Sequence, residues 1–434
     1  MSSEGAKTMY DYRYEPHRVI FMIDNKSFFA SCEALRLGLN PMMVPLVVLS
    51  RPEAGKSALV MAASPVAKSK YGLKNVMRAK DLPSRQEAPD LMIVQPHMSL
   101  YIEKSMAVRE IFRKYAADED IYVYSIDEAM IDMTASWKLF GDDPYLVARK
   151  IQKDIHDELG LYTTCGIGEN PLLAKLAMDL SAKHRKSMIA YWHYIDVPDT
   201  IWQVKQLEDV WSINTRTARR LERLGIHNMY QLAHSDPAVL HKEFGILGDQ
   251  LFAISWGVDR SIIKERRPHG KSCGNSQILD RDYLDQRQIE IVIEELADQV
   301  ASRIRAKGLL AGQVRLEVGY SYLEEERGFT KQVKITPTDV SKDLVDYLWR
   351  IFRQNWQGQA VRQLGVSCGY LTPAAAIQLD LFISPEAAEK KRRFDQIVDQ
   401  IRNKYGFVSL VRAASLLPGA TAIRRSRLIG GHQA

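Results

Sequence analysis

The distribution of apolar and polar positions predicts a mixed α and β protein. Residues 19–23, Val19-Ile-Phe-Met-Ile23, are an unbroken apolar run, the pattern of a strand covered on both faces. The run delivers Asp24 at its C-terminal end. Residues 122–132, Tyr-Val-Tyr-Ser-Ile-Asp-Glu-Ala-Met-Ile-Asp, repeat this grammar with two adjacent carboxylates, Asp127 and Glu128, inside a β-type run. Acids are depleted in strands and costly to bury unpaired, so this pair predicts a strand end or tight turn on the rim of a sheet. Further strands are expected over residues 44–49, 58–62, 91–94 and 162–168, with helices over 98–115, 145–159 and from Asn170-Pro171 to residue 182. This order predicts an antiparallel sheet with helices on one face, to which residues 91–94 return the chain.

Residues 190–258 read as a compact helical module. A second α+β domain follows. Its first helix carries Ile289, Val292, Ile293, Leu296, Val300 and Ile304 at helical spacing. Its clearest strand turns Val314, Leu316, Val318 and Tyr320 inward and Arg315 and Glu317 outward. The order βαββαβ reads as a ferredoxin-like sheet. Residues 390–404 form a basic helix with Phe394, Ile397, Val398 and Ile401 on one face, and residues 1–18 are expected to be a poorly ordered polar tail.

Composition narrows the class. Hydrophobic content of 46% and charged content of 26% exclude a disordered chain. No apolar run approaches the roughly 18 residues of a membrane span, and no signal-peptide core leads the chain, so a cytoplasmic protein is expected. Four scattered cysteines suggest neither disulfides nor zinc. The net charge of +6 permits a polyanion partner. The stretch 383–434, with 10 Lys/Arg against 4 Asp/Glu, accounts for all of that excess.

If the strands ending at Asp24 and around Asp127 pair, Asp24, Asp127 and Glu128 converge. Three ionised carboxylates at one point call for a divalent cation, and all-oxygen ligation with open positions suits Mg²⁺. An ordinary hairpin turn at Asp127-Glu128 is the plainer alternative.

Two motifs sharpen the choice. Asp24-Asn-Lys-Ser-Phe-Phe-Ala-Ser-Cys-Glu33 and Ser125-Ile-Asp-Glu128 resemble, in order, the first two motifs of the Y-family (translesion) DNA polymerases. The resemblance runs from about residue 19 to 405. It leans toward the bacterial branch that includes the catalytic subunit of DNA polymerase V and its Gram-positive, often plasmid-borne relatives. It implies an α+β right-hand polymerase: palm at 19–27 and 91–189, with a ferredoxin-like sheet; small fingers at 28–90; helix-hairpin-helix thumb at 190–258; basic linker at 259–271; βαββαβ little finger at 272–372; and a C-terminal tail at 373–434. The implied activity is low-fidelity, template-directed DNA synthesis across lesions in the DNA-damage (SOS) response. Primer-template DNA, dNTP and the bacterial sliding clamp (beta subunit) are the implied partners.

The same resemblance assigns residues. Two Mg²⁺ ions are held by Asp24, Asp127, Glu128 and the backbone carbonyl of Asn25. Phe28 and Phe29 stand at the nucleotide, Phe28 packing in the core and Phe29 acting as the steric gate that rejects a 2′-hydroxyl. Lys68 and Lys183 contact the triphosphate, while Lys175 is structural. The fingers depart from the family pattern, because Pro65 stands in the usual Tyr position and the following helix is a residue longer, leaving Ser69 or Lys70 as alternatives to Lys68. In the thumb, Ser212-Ile-Asn214 replaces the usual Gly-Ile-Gly hairpin, and Asn tolerates a left-handed backbone better than Ser. Arg216, Arg219 and Arg220 there, and Arg266, Arg267 and Lys271 in the linker, are the implied DNA contacts. Gln378-Leu379-Asp380-Leu381-Phe382 matches the clamp-binding pentapeptide. A nucleotide cyclase explains the carboxylates but not the other parts, and a catalytically inactive DNA- and clamp-binding regulator remains the second alternative.

Overall fold

The protein is described here from a computed structural model covering residues 10–50, 58–263, 272–374, 385–430 and 432–433. Arg266, Arg267, Lys271 and the pentapeptide Gln378, Leu379, Asp380, Leu381 and Phe382 lie outside the described residues. The chain divides into two compact units, residues 1–266 and 267–434.

In the first unit, β1 (Ile20–Asn25) leads into α1 (Phe28–Arg36), β2 (Leu46–Leu49), β3 (Val60–Ala63), α2 (Pro65–Tyr71) and β4 (Met92–Val94). Then come α3 (Met98–Phe112), β5 (Ile121–Val123), β6 (Glu128–Asp132), α4 (Pro144–Leu159), β7 (Thr163–Gly168), α5 (Pro171–Leu180) and β8 (Ile189–Trp192). The main sheet has the order β5-β6-β1-β7-β8. As the apolar run predicted, β1 is central and buried on both faces. Phe21 and Ile23 join Ala129, Ile131, Cys165 and Ile167 against α3 and α4. Ile20, Met22 and Met130 face Ala174 and Met178 of α5. That helix lies close because β7 has glycines beneath it: a Cβ on Gly166 would come within 2.1 Å of the Ala174 carbonyl oxygen.

Four expectations are corrected. Helices cover both faces of this sheet, because α5 crosses between the parallel strands β7 and β8. Residues 92–94 do not rejoin it; β4 runs parallel to β2 in a separate three-stranded sheet, β3-β2-β4, so the segment expected to end at residue 90 runs on to residue 94. Residues 190–192 continue β8 of the five-stranded sheet and are not part of the helical module expected from residue 190. Residues 10–18 are a strap, not a loose tail: Tyr10 stacks on Trp256 (5.5 Å between ring centroids) and Tyr12 on Tyr194 (4.6 Å). Buried Glu15 accepts from Arg260 Nε at 2.8 Å. Aromatic rings among polar residues are enough to anchor a segment that looks hydrophilic on average.

The helical module contains α6 (Thr215–Arg223), α7 (Met229–Ala233), α8 (Pro237–Phe244) and α9 (Ile246–Ser255). Its hairpin reverses the expected division of labour. Ser212 takes the left-handed backbone, at φ 80°. Asn214 instead caps α6, its side chain accepting from Thr217 N at 3.0 Å.

The second unit contains β9 (Ser272–Tyr283), α10 (Gln286–Ala306), β10 (Leu309–Tyr320), β11 (Gly328–Thr338), α11 (Ser341–Asn355), β12 (Val361–Pro373) and α12 (Pro385–Tyr405). The strand order β11-β10-β12-β9 makes two interlocked split β-α-β units, with α10 and α11 packed on one face. The helix α12 docks through its polar side. Asp395 and Asp399 take Arg305, and Arg392 takes Asp339. Phe394 and Ile397, in the predicted apolar stripe, are 63% and 46% exposed. Arg402 and Arg412 close on Asp298, and Arg424 on Asp280. Much of the basic excess that seemed to await a polyanion is thus matched by acids of this same unit.

Candidate active site

The carboxylates converge because of strand register. Asp24 pairs across β1 and β6 with Glu128, and Asn25 N donates to the Asp127 carbonyl at 2.9 Å. Asp24 and Glu128 follow Ile20, Met22 and Met130 on the face covered by α5, since side chains alternate along a strand. Asp127 lies in the tight turn after β5, where Ser125 Oγ donates to its Oδ1 at 2.6 Å. The Asp-Glu pair is therefore both a hairpin turn and part of an acidic cluster.

Lysines of α5 and the turn after it partly neutralise the cluster. Buried Lys175 donates to Glu128 Oε1 at 2.7 Å and lies 3.1 Å from Asp179. Lys183 lies 3.6 Å from Asp24 and donates to Asp179 Oδ1 at 2.8 Å. Neutralisation is incomplete at Asp24. Burial, with the charges of Glu128 and Asp127, pushes its carboxyl up to about 7 in spite of Lys183. Thr164 Oγ1, opposite on β7, is 3.4 Å from Asp24 Oδ1.

Among the described residues, no three Asp, Glu, His or Cys side chains are grouped closely enough to enclose a metal ion. Glu128 is drawn to Lys175 and Asp24 toward Lys183. The donor set still suits a hard cation: it is all oxygen, acidic, at a sheet end, and short of positive charge.

The other predicted residues fall as follows. The Phe28 ring is 2% exposed within the palm core, which removes its side chain from the nucleotide-binding set. Phe29 is partly exposed and touches both the palm and the fingers cores. Lys68 reaches Ser27 Oγ at 3.3 Å and feels the charge of Asp24, whereas Lys70 is spent on Asp90 at 2.6 Å. Arg216 and Arg219 are exposed on α6. Arg220 is committed to Glu243 (2.9 Å) and to the ring of Phe244 (4.2 Å), so its guanidinium is already engaged.

Sequence reasoning missed Asp179, the fourth carboxylate, and underrated Lys175. The signal was present: residues 175, 179 and 183 follow each other at i,i+4 spacing, which stacks them on one side of a helical segment.

The impB/mucB/samB family matches residues 23–179, and the C-terminal domain of that family matches residues 270–381. The chain is 37% identical to the putative UV-damage repair protein UvrX of Bacillus subtilis, over 98% of this chain and 100% of that protein. It is 33% identical to DNA polymerase IV 2 of the same organism (96% and 98%) and 34% identical to DNA polymerase IV of Moorella thermoacetica (92% and 96%). A solved Y-family DNA polymerase chimera, Dbh–Dpo4–Dbh, superposes with a TM-score of 0.66 at 22% identity, over 82% of this chain and 99% of that one. With the motifs around Asp24 and Asp127 joined at one sheet end, the chain belongs to the impB/mucB/samB family of Y-family translesion DNA polymerases.

Proposed function

We propose that the chain is a low-fidelity, template-directed DNA polymerase working in translesion synthesis by two-metal nucleotidyl transfer. The observation that carries this reading is the register that sets Asp24 beside Glu128 and Asp127, with a carboxyl held up at about 7. Relatives named DNA polymerase IV and a UV-damage repair protein support it.

Asp24, Asp127, Glu128 and the Asn25 carbonyl are the groups to hold two Mg²⁺ ions. When bound, these activate the primer 3′-hydroxyl and offset the triphosphate's charge. No side-chain nucleophile is needed. Lys183 and Lys68 meet the triphosphate in this reading, supported by Lys183 lying 3.6 Å from Asp24 and by Lys68 feeling the Asp24 charge. Phe29 packs over the sugar and excludes a 2′-hydroxyl. Arg216 and Arg219 hold the DNA backbone from the thumb, and Arg266, Arg267 and Lys271 of the linker are further phosphate contacts in this reading. Gln378 to Phe382 docks on the sliding clamp through Leu381 and Phe382.

Primer extension with dNTPs and Mg²⁺ tests the site. The wild-type chain extends and Asp127→Ala does not. Equal extension by both proteins overturns the assignment, and a wild-type chain that binds DNA without extending it favours the inactive regulator.

A further inference from the structure

The first motif ends in Glu33, a residue with no part in the chemistry above. Its side chain is fully buried. Three donors meet it: Tyr101 Oη donates to Oε1 at 2.7 Å, His97 Nδ1 lies 2.9 Å from the same oxygen, and Arg36 Nε donates to Oε2 at 2.8 Å. Burial raises the Glu33 carboxyl, but the bonds from Tyr101, Arg36 and His97 outweigh it and leave the group below its usual range. The result is a fixed anion at the end of α1, grasping the first turn of α3.

The ring so held faces the sugar-gate candidate. Tyr101 is fully buried and its ring stacks on Phe29, with centroids 4.5 Å apart and planes 16° from parallel. Phe28, by contrast, stands 6.4 Å from Tyr101 and 59° off parallel. Phe29 therefore has one face fixed by a ring that is itself tied by its hydroxyl to a buried carboxylate. Two χ angles set a Phe ring, and a stacked wall on one side restricts both.

We propose that Tyr101, anchored by Glu33, is a positioning residue for sugar discrimination: it fixes the plane of Phe29 against the 2′ position of the incoming nucleotide. This rests on Phe29 being the gate. The aromatic and the acid of the first motif then form one device, in which Glu33 holds Tyr101 and Tyr101 holds the gate.

The test is single-nucleotide extension by the full chain, with kcat/KM measured for a dNTP and its matching rNTP. Phe29→Ala should relax discrimination most. Tyr101→Leu should relax it by about tenfold, with kcat for the dNTP within about threefold of wild type, as loss of one stacked contact implies. Tyr101→Phe keeps the ring but loses the hydroxyl that Glu33 holds, so it should fall between wild type and Tyr101→Leu; discrimination equal to wild type there removes Glu33 from the device. Tyr101→Met, close in volume, reads the same quantity if the Leu variant does not fold. The double variant Phe29→Ala/Tyr101→Leu should be no more relaxed than Phe29→Ala alone, because Tyr101 acts through the gate. If Phe29→Ala relaxes discrimination while the Leu and Met variants lower only the melting temperature, the proposal falls. It also falls if the double variant is additive. If Phe29→Ala itself leaves discrimination unchanged, the gate reading fails first and takes this proposal with it.

Discussion

Two acidic clusters in this protein resemble each other in content and differ in how they are neutralised. In the second unit, Asp298 meets Arg402 at 2.7 Å and Arg412 at 3.0 Å, and Arg305 reaches Asp399 at 2.7 Å. Burial alone raises the Asp298 carboxyl, but the two arginines bring it below its usual range. In the first unit, Asp24 is also buried, yet its carboxyl is pushed up to about 7 by burial and its acidic neighbours, with Lys183 at 3.6 Å only partly opposing them. Arginine offers a rigid fork of donors, while lysine is a point charge on a flexible stem. The cluster in the second unit is stitched; the one in the first unit is left short of positive charge. A buried carboxylate with an upward shift and movable lysines is what a site for a charged ligand requires, and a forked one is what a structural joint requires.

The sharpest way to break this comparison is to remove a carboxylate from each cluster. Asp127→Ala should lower primer extension on the order of a thousandfold, about 4 kcal/mol of transition-state stabilisation, with little change in thermal melting. Asp298→Ala should do the reverse. It strands Arg402, leaves Arg412 only Glu294 at 3.4 Å, and should cost roughly 3–5 kcal/mol of stability in denaturant melts, while specific activity of the folded fraction stays near wild type. Next in size is the sign of isosteric replacement in EDTA at neutral pH. Asp24→Asn removes like-charge repulsion and should leave stability unchanged or up to about 1 kcal/mol higher, whereas Asp298→Asn should lower it.

Acid then sharpens the contrast. The folded-state pKa of Asp298 is depressed, so its contribution is present above the unfolded value and lost as pH falls through the folded one. The deficit of Asp298→Asn seen at pH 7 should therefore shrink below about pH 4 in melts across pH. The smallest effect carries the comparison from charge to backbone. Ser212→Gly should relieve the left-handed strain in the thumb hairpin and stabilise by a few tenths to about 1 kcal/mol, while Asn214→Ala should lose the α6 cap at a cost of about 1 kcal/mol.

Legibility followed the range of the forces involved. The strand at 19–23, the turn at Asp127-Glu128 and the periodic helix at 289–304 were readable because pleat and helix periods place apolar side chains locally. The strand at 92–94 was visible as a strand but not as a partner of β2, since pairing is decided by another segment. The strap at 10–18 and the docking of 391–425 were hidden for the same reason: Glu15 has meaning only beside Arg260, and Asp298 only beside Arg402 and Arg412.

By itself the chain's order of residues determined the family motifs, the strand that carries Asp24 and the amphipathic periods of both units, all set within a few residues of one another. Only the tertiary structure decided which cations neutralise which acids, that α5 covers the face carrying Asp24 and Glu128, and that Tyr101 stacks on Phe29 while bonded to a buried Glu33. Charge pairing and ring stacking act through space over a few ångströms, between groups the sequence holds dozens of residues apart, so no local period announces them.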